Sequence, residues 1–138
     1  MGRIMGLDVG DVRIGIAVSD LLMITAQGVE TYTRGTEEAD LAYLGDFAKR
    51  QGVDKIVCGL PKHMNGTLGE QAEKVRAFAE KLKRETGLPL VYWDERLSTK
   101  SATRTLLEAD MSRKKRKAVV DKIAAVYILQ GYMDSQGF

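Results

Sequence analysis

Residues 3–19 have the sequence RIMGLDVGDVRIGIAVS, and this stretch decides the fold. Its first part, Arg3–Val9, is an almost continuous apolar run, and Arg13–Ser19 is a second one. Between them, Gly10–Val12 supplies glycine and aspartate, which are typical of turns. Two apolar runs with so short a connection predict an antiparallel hairpin at the start of the chain.

Strands and helices are predicted to alternate along the rest of the chain. Hydrophobic periodicity predicts strands over Gln27–Thr33, Lys55–Leu60 and Leu90–Asp94. It predicts helices over Glu37–Gln51 and Glu70–Glu85, from Ser98 or Thr99 to about Ala109, and from about Val119 to Met133. Residues 112–117 (SRKKRK) interrupt the apolar pattern before the last helix. Three strands followed by alternating helix and strand predict an α/β fold, in which helices pack on a mixed sheet.

The composition is that of an ordinary globular protein. The 138 residues are 44% hydrophobic and 29% charged, without a repeat or a Pro/Ser-rich linker, so we expect one domain over residues 1–138. Cys58, the single cysteine, lies in an apolar run and is expected to be a buried, inert thiol. The absence of disulfide pairs and of a long apolar segment favours a reducing, cytoplasmic location without a membrane partner.

The charges are distributed unevenly. Residues 96–117 contain eight Lys/Arg and two acids, a local charge of +6. The other residues contain 13 bases and 17 acids, so they carry a net charge of −4. Such polarity indicates a polyanionic partner, of which nucleic acid is the obvious class.

Asp8 is the most informative single residue because it interrupts an apolar strand. Burying an unpaired carboxylate is costly, so a carboxylate in this position indicates a cation, a hydrogen-bond network or a metal as its partner. The flanking Gly6 and Gly10 would let a ligand approach the backbone closely. The alternative is an aspartate that ends the strand by binding turn amides.

Two further acidic sites are candidates for the same cluster. Asp94 and Glu95 end the fifth strand, and strand alternation sends their side chains to opposite faces, so one of the two could join Asp8. Asp121 lies on the helical stripe that continues through Ala124, Ala125 and Ile128, although an acid early in a helix can also simply complement the helix dipole. Carboxylates from three elements would suit Mg²⁺ and two-metal phosphodiester hydrolysis, and the lack of His/Cys ligand spacing argues against zinc.

Four blocks of the sequence together resemble one known family. These blocks are GLDVGDVRIGIAVSD (6–20), GLPKHMNGTLGEQA (59–72), DERLST (94–99) and DKIAAVYIL (121–129). They cover about a third of the chain and are similar, in order and spacing, to the YqgF/RuvX family. Its members are described as Holliday junction resolvases and as nucleases that mature the 5′ end of the small-subunit ribosomal RNA precursor.

The resemblance implies both a fold and a catalytic centre. The implied fold is ribonuclease H-like: a five-stranded mixed sheet ordered 3-2-1-4-5, with strand 2 antiparallel to the others and helices on both faces. The implied activity is that of a Mg²⁺-dependent nuclease, with Mn²⁺ as an alternative metal. The family's catalytic and metal-binding acids fall on Asp8, Glu95 and Asp121, which favours Glu95 over Asp94. The chain departs from the family at Val12, where a lysine is often found, and strand 4 ends without an acid.

Eight positive side chains are predicted to hold the phosphate backbone of the substrate. The basic run directly precedes Asp121, and the others lie near the ends of the strands that carry the acids. The predicted contacts come from Arg13, Lys62, Arg96, Arg113, Lys114, Lys115, Arg116 and Lys117. Such contacts position nucleic acid without recognising its sequence. The alternative for the basic run is a solvated loop without a specific role.

Three functions remain open at this point. The favoured one is cleavage of precursor ribosomal RNA, with a four-way DNA junction as the second substrate; a symmetric junction needs two active sites and therefore calls for a homodimer. A non-catalytic nucleic-acid-binding protein is the next alternative. The DVGxxxxG pattern also resembles the phosphate loop of actin-like sugar kinases, but those proteins enclose their nucleotide with two domains.

Overall fold

The computed structural model describes residues 2–22, 24–61, 69–94 and 113–136, and in the last range it describes side chains from Lys122 onward. The strands are β1 (Arg3–Val9), β2 (Arg13–Ser19), β3 (Ala26–Thr33), β4 (Val53–Leu60) and β5 (Leu90–Asp94). The helices are α1 (Glu37–Gln51), α2 (Glu70–Thr86) and α3 (Arg113–Ser135). The helix predicted from Ser98 or Thr99 to Ala109 lies outside the described residues.

The five strands form one mixed sheet in the order β3-β2-β1-β4-β5. β2 pairs antiparallel with both β1 and β3, whereas β1 pairs parallel with β4 and β4 with β5. Thus β2 alone runs against the other strands. The predicted hairpin, the strand order and the antiparallel second strand are all confirmed, and the chain has the ribonuclease H-like fold.

Strand alternation divides the core into two layers. Met5 and Leu7 of β1 belong to the cluster that α1 and α2 cover, and we call this side of the sheet the α1/α2 face. Ile4 of β1 and Val57 of β4 lie on the other side, under Ala125, Ile128 and Leu129 of α3, and we call that side the α3 face. Helices on both faces are therefore confirmed, as is the burial of the Cys58 thiol. In the described ranges, none of the helices has the length and apolar character required to span a bilayer.

Three element boundaries differ from the predictions by more than one residue. β4 begins at Val53, two residues before the predicted start, because Gly52 ends α1 in the left-handed conformation and turns the chain directly into the strand. α3 begins at Arg113 and ends at Ser135, six residues before and two residues after the predicted bounds, so the predicted start at about Val119 is wrong and residues 113–117, which break the apolar pattern, belong to the helix. Apolar periodicity marks only the part of a helix that packs on a core. Because lysine and arginine are good helix formers, the helix continues through a segment that lacks this periodicity.

A fully buried carboxylate lies near the start of α1. The Oδ1 atom of Asp40 accepts hydrogen bonds from the Tyr32 hydroxyl and the Gly35 backbone N–H, both at 2.9 Å. Its Oδ2 atom accepts one from Arg34 Nε at 2.9 Å. Burial by itself raises the pKa of this carboxyl, but the bonds from Arg34, Gly35 and Tyr32 outweigh it, so the pKa of Asp40 is lowered.

Asp40 should therefore make the fold sensitive to acid. A carboxyl whose pKa is lower in the folded than in the unfolded state stabilises the fold fully above its unfolded value of about 3.9, and this contribution is lost as the pH falls through the folded pKa. We expect Asp40→Asn to lower the free energy of unfolding by on the order of 3 kcal/mol at neutral pH, because the buried Arg34 contact loses its charge partner. Urea unfolding at a series of pH values should show that the difference in the free energy of unfolding between parent and variant becomes smaller below pH 4. A difference in the free energy of unfolding that stays constant down to about pH 2.5 would contradict the proposed role of the Asp40 charge.

Candidate active site

Asp8 is half-buried near the carboxyl end of β1 and lies on the α3 face. Gly6 precedes it by two residues on the same face, and Gly10 follows it by two. Its cross-strand partner in β2 is Gly15. In the parallel register that pairs Leu7 with Cys58, the next residue of β4 beside Asp8 is Gly59. All four nearest positions on this face of the sheet are therefore glycines, which we call the glycine frame (Gly6, Gly10, Gly15 and Gly59).

The glycine frame places no side chain directly beside Asp8 at the adjacent same-face positions of its own strand or at the paired positions of β2 and β4. The side chains nearest to Asp8 in its row across the sheet stand one strand further out: Thr31 pairs with Gly15, and Trp93 pairs with Gly59. Trp93 packs against α3, where a Cβ atom at Gly131 would lie 2.9 Å from its ring. Thr31 and Trp93 thus bound the row of the sheet that has Asp8 at its centre.

α3 approaches β1 closely at Gly6 and extends from there toward β3 at its N-terminal end. A Cβ atom on Gly6 would lie 2.7 Å from Leu129 Cβ and 3.1 Å from the Ala125 carbonyl oxygen. A Cβ atom on Gly28 of β3 would lie 2.9 Å from Lys122 Cγ, and Gly28 stands in the same row across the sheet as Gly6, through Ala17. The helix therefore crosses the strands on the face of Asp8, and position 121 is one helical turn before Ala125, with the side chain of Asp121 outside the described part.

Arg13 lies beside Asp8 at the other side of the turn. It opens β2 and, two residues before Gly15, shares the α3 face with Asp8. The turn between them is tight, since the Gly10 N–H donates to the Arg13 carbonyl oxygen at 2.8 Å. A cation and a carboxylate at the same strand end can together bind a phosphate through a bridging metal and a direct contact.

The two acids at the end of β5 are distinguished by register. Asp94 pairs with Leu60, a residue of the cluster under α1 and α2, so Asp94 lies on the α1/α2 face and not on the face of Asp8. Trp93, its neighbour, packs with the α3 cluster. Within the described residues, the sheet therefore does not bring Asp94 together with Asp8.

Several predicted site residues lie outside the described residues. These are Glu95, Lys62 and Arg96, together with the side chains of Asp121, Arg113, Lys114, Lys115, Arg116 and Lys117. The backbone of residues 113–117 forms the first turns of α3. Among the described side chains, His, Cys, Asp and Glu do not form a group of three that could hold a metal ion.

Two glycines of the frame were not predicted as parts of the site. Gly6 and Gly10 flank Asp8 in sequence, but Gly15 and Gly59 reach it through pairing with other strands. A glycine in each of three apolar strands was the available signal, because glycine within a strand often marks close approach of a ligand or another backbone. β4 has Gly59 in the row of Asp8 and ends at Leu60, so it supplies no carboxylate to the site, as the sequence indicates.

The sequence of the chain matches a known family and named relatives. The family model described as "RuvX: Holliday junction resolvase" matches residues 2–135. A protein of Clostridioides difficile (strain 630), named "Putative pre-16S rRNA nuclease", is 61% identical over 133 residues, which cover 96% of this chain and 94% of that protein. A protein of the same name from Moorella thermoacetica is 57% identical over 135 residues, covering 98% and 96% of the two chains.

Solved structures with little sequence identity share the fold. The T. thermophilus RuvC in complex with a Holliday junction substrate superimposes with a TM-score of 0.62 at 12% identity, over 99% of this chain and 97% of that chain. The Fowlpox virus resolvase in complex with Holliday junction DNA gives a TM-score of 0.62 at 11% identity, over 97% and 98% of the two chains.

Proposed function

Because the chain belongs to the RuvX family, we propose that it is a cytoplasmic, metal-dependent nuclease that hydrolyses phosphodiester bonds in structured nucleic acid. We propose the 5′ end of the 16S ribosomal RNA precursor as its substrate. The observation that carries the proposal is Asp8 inside the glycine frame, on the face that α3 approaches. Glycines at these four positions of the sheet let a bulky ligand, such as a phosphate with its cations, approach the carboxylate closely.

The donor set fits hard divalent cations. Mg²⁺ binds one or two protein carboxylates and completes its octahedral coordination with waters and substrate phosphates, which need the room that the glycine frame leaves. Asp8 would hold the cation together with Glu95 and Asp121, and Mn²⁺ would be accepted by the same oxygens. When bound, such cations supply stabilisation of the negative charge that develops on the phosphate. Arg13, on the same face, would orient the phosphate that is cleaved.

Glu95 is our choice for the third carboxylate, for a reason of register. Asp94 lies on the α1/α2 face. Side chains alternate along a strand, so a strand continued by one residue beyond Asp94 would direct Glu95 toward the face of Asp8. Asp121, one helical turn before Ala125 in the helix that packs on the face of Asp8, supplies the remaining acid in this proposal.

The basic run supports a polyanionic substrate. Residues 113–117 place five cations in the first turns of α3, at the positive end of the helix dipole, and the same turns contain no acid. This arrangement is unfavourable by itself, since like charges repel one another and the dipole, and a bound phosphate backbone would relieve both effects. Lys62 and Arg96 are proposed to extend this contact at neighbouring strand ends.

Ribosomal RNA is favoured over a DNA junction by the nearer relatives. Proteins at 57% and 61% identity bear the name of a pre-16S rRNA nuclease, whereas the junction resolvases are 11% and 12% identical. The four-way DNA junction remains the second candidate, since the family model carries that description. It would require a homodimer to make two symmetric cuts.

One experiment separates these functions. The purified chain is incubated with a 16S precursor transcript and, in parallel, with a synthetic four-way DNA junction, each with Mg²⁺, with Mn²⁺ and with chelator. We expect cleavage near the 5′ end of the transcript with either metal and none with chelator. Paired symmetric cuts in the junction alone, with a dimer in sedimentation, would favour the resolvase. Binding of both substrates without any cleavage would contradict a nuclease and favour a binding protein.

A further inference from the structure

Arg34, between β3 and α1, holds the turn that separates Asp8 from Arg13. Its Nη1 atom donates to the Gly10 carbonyl oxygen at 2.8 Å. Its backbone N–H donates to the Val12 carbonyl oxygen at 2.9 Å. One residue from a different part of the chain thus fixes two of the three turn carbonyls, one before and one after Asp11.

The guanidinium of Arg34 is itself fixed on three sides. Its Nε atom donates to the buried Asp40 at 2.9 Å, and its Cζ atom lies 4.7 Å from the centre of the Phe78 ring in α2. The side chain is 19% exposed, while that of Asp40 is fully buried. Because Asp40 is also bonded to Tyr32 and Gly35, the arginine has little freedom to leave the Gly10 carbonyl.

The turn connects the fixed Gly10 peptide to Asp8 on one side and to Arg13 on the other. The Gly10 N–H donates to the Arg13 carbonyl oxygen at 2.8 Å, and a Cβ atom on Gly10 would lie 2.9 Å from that oxygen. A turn so tight cannot rotate the Gly10 peptide without moving the adjoining residues. Asp8 lies two residues before Gly10, and Arg13 directly follows Val12.

We propose that Arg34 is a positioning residue for the nuclease reaction, which holds the Asp8 carboxylate and the Arg13 side chain at their working separation through the Gly10 and Val12 carbonyls. This role rests on the proposed nuclease function. The role requires an arginine, because Nε donates to Asp40 while Nη1 donates to the Gly10 carbonyl oxygen. The single ammonium group of lysine cannot reproduce this pair of divergent donors, the guanidinium fork.

The test is Arg34→Lys, which keeps the positive charge and removes the fork. Groups that orient metal-binding side chains typically contribute 10- to 100-fold to metal affinity or activity. We expect the Mg²⁺ concentration for half-maximal cleavage of the precursor transcript to rise at least ~10-fold and kcat to fall by a similar factor. KM for the transcript at saturating Mg²⁺ should stay within about twofold of the parent value, because the basic run is untouched.

Two control variants separate positioning from stability. Arg50→Lys makes the same substitution in an ion pair with Asp46 on the outer surface of α1, and should leave the Mg²⁺ requirement at the parent value. Leu44→Ala removes a fully buried side chain of α1 that is not part of the turn network, so it lowers the melting temperature while keeping the parent's Mg²⁺ requirement.

Each possible result supports or overturns the positioning role of Arg34. A raised Mg²⁺ requirement in Arg34→Lys that neither control shows supports the positioning role. A parent-like Mg²⁺ titration and kcat in Arg34→Lys, while the parent cleaves, overturns that role and leaves the nuclease proposal intact. A raised requirement in Leu44→Ala as well would assign the effect to stability and also overturn it. If the parent chain cleaves neither substrate, the nuclease function fails, and the positioning role fails with it.

Discussion

Asp8→Asn is expected to abolish Mg²⁺-dependent cleavage and to leave binding of the precursor transcript within about twofold of the parent. The amide keeps the size of the carboxylate but removes the charge that would hold a cation inside the glycine frame. Residues that merely orient metal ligands contribute 10- to 100-fold, so loss of a ligand itself should lower kcat by roughly 1,000-fold or more. Binding should persist because it depends on the basic run at the start of α3.

The acidic pair at the end of β5 provides the matched comparison for this variant. Glu95→Gln, which removes another proposed ligand, should lower kcat by roughly 1,000-fold or more as well. Asp94→Asn should cleave within a few-fold of the parent, because Asp94 lies on the α1/α2 face. Single-turnover cleavage and filter binding of the three variants measure both properties. An Asp8→Asn variant as active as the parent would refute the metal site, and loss of activity in Asp94→Asn but not in Glu95→Gln would reverse the choice between them.

Gly6→Ala is expected to destabilise the fold strongly. The new Cβ atom would lie 2.7 Å from Leu129 Cβ and 3.1 Å from the Ala125 carbonyl oxygen, so it would force α3 away from β1. Overpacking of this kind costs about 2–3 kcal/mol, or roughly 6–10 °C in melting temperature for a chain of this length. Thermal unfolding followed by circular dichroism measures the shift.

Gly45→Ala is the control, because the same substitution should act in the opposite direction. Gly45 lies within α1, and a Cβ atom there would meet Thr86 Cγ2 at 3.9 Å, an ordinary contact. Alanine within a helix is favoured over glycine by roughly 0.5–1 kcal/mol, so we expect a higher melting temperature. A Gly6→Ala variant as stable as the parent would show that α3 can withdraw from β1 without cost.

The elements were predictable because their signals are local. β1, β2, α1 and β5 have the predicted bounds, since each depends on periodicity and turn residues within a few positions. The start of α3 was missed at Arg113, because a helix can extend beyond its apolar stripe into a segment of lysine and arginine. The strand order followed from the family resemblance, since pairing between distant strands leaves no local pattern.

Asp8 itself was recognisable from sequence, as a carboxylate in an apolar strand between two glycines. By itself the sequence determined the hairpin, the alternation of helix and strand, the acidic candidates and the basic run. The tertiary structure alone decided that Gly15 and Gly59 complete the frame around Asp8, that Asp94 lies on the opposite face, and that Arg34 reaches the Gly10 carbonyl. The physical reason is register: periodicity along one strand tells which residues share a face, but only pairing with other strands decides which residues stand side by side.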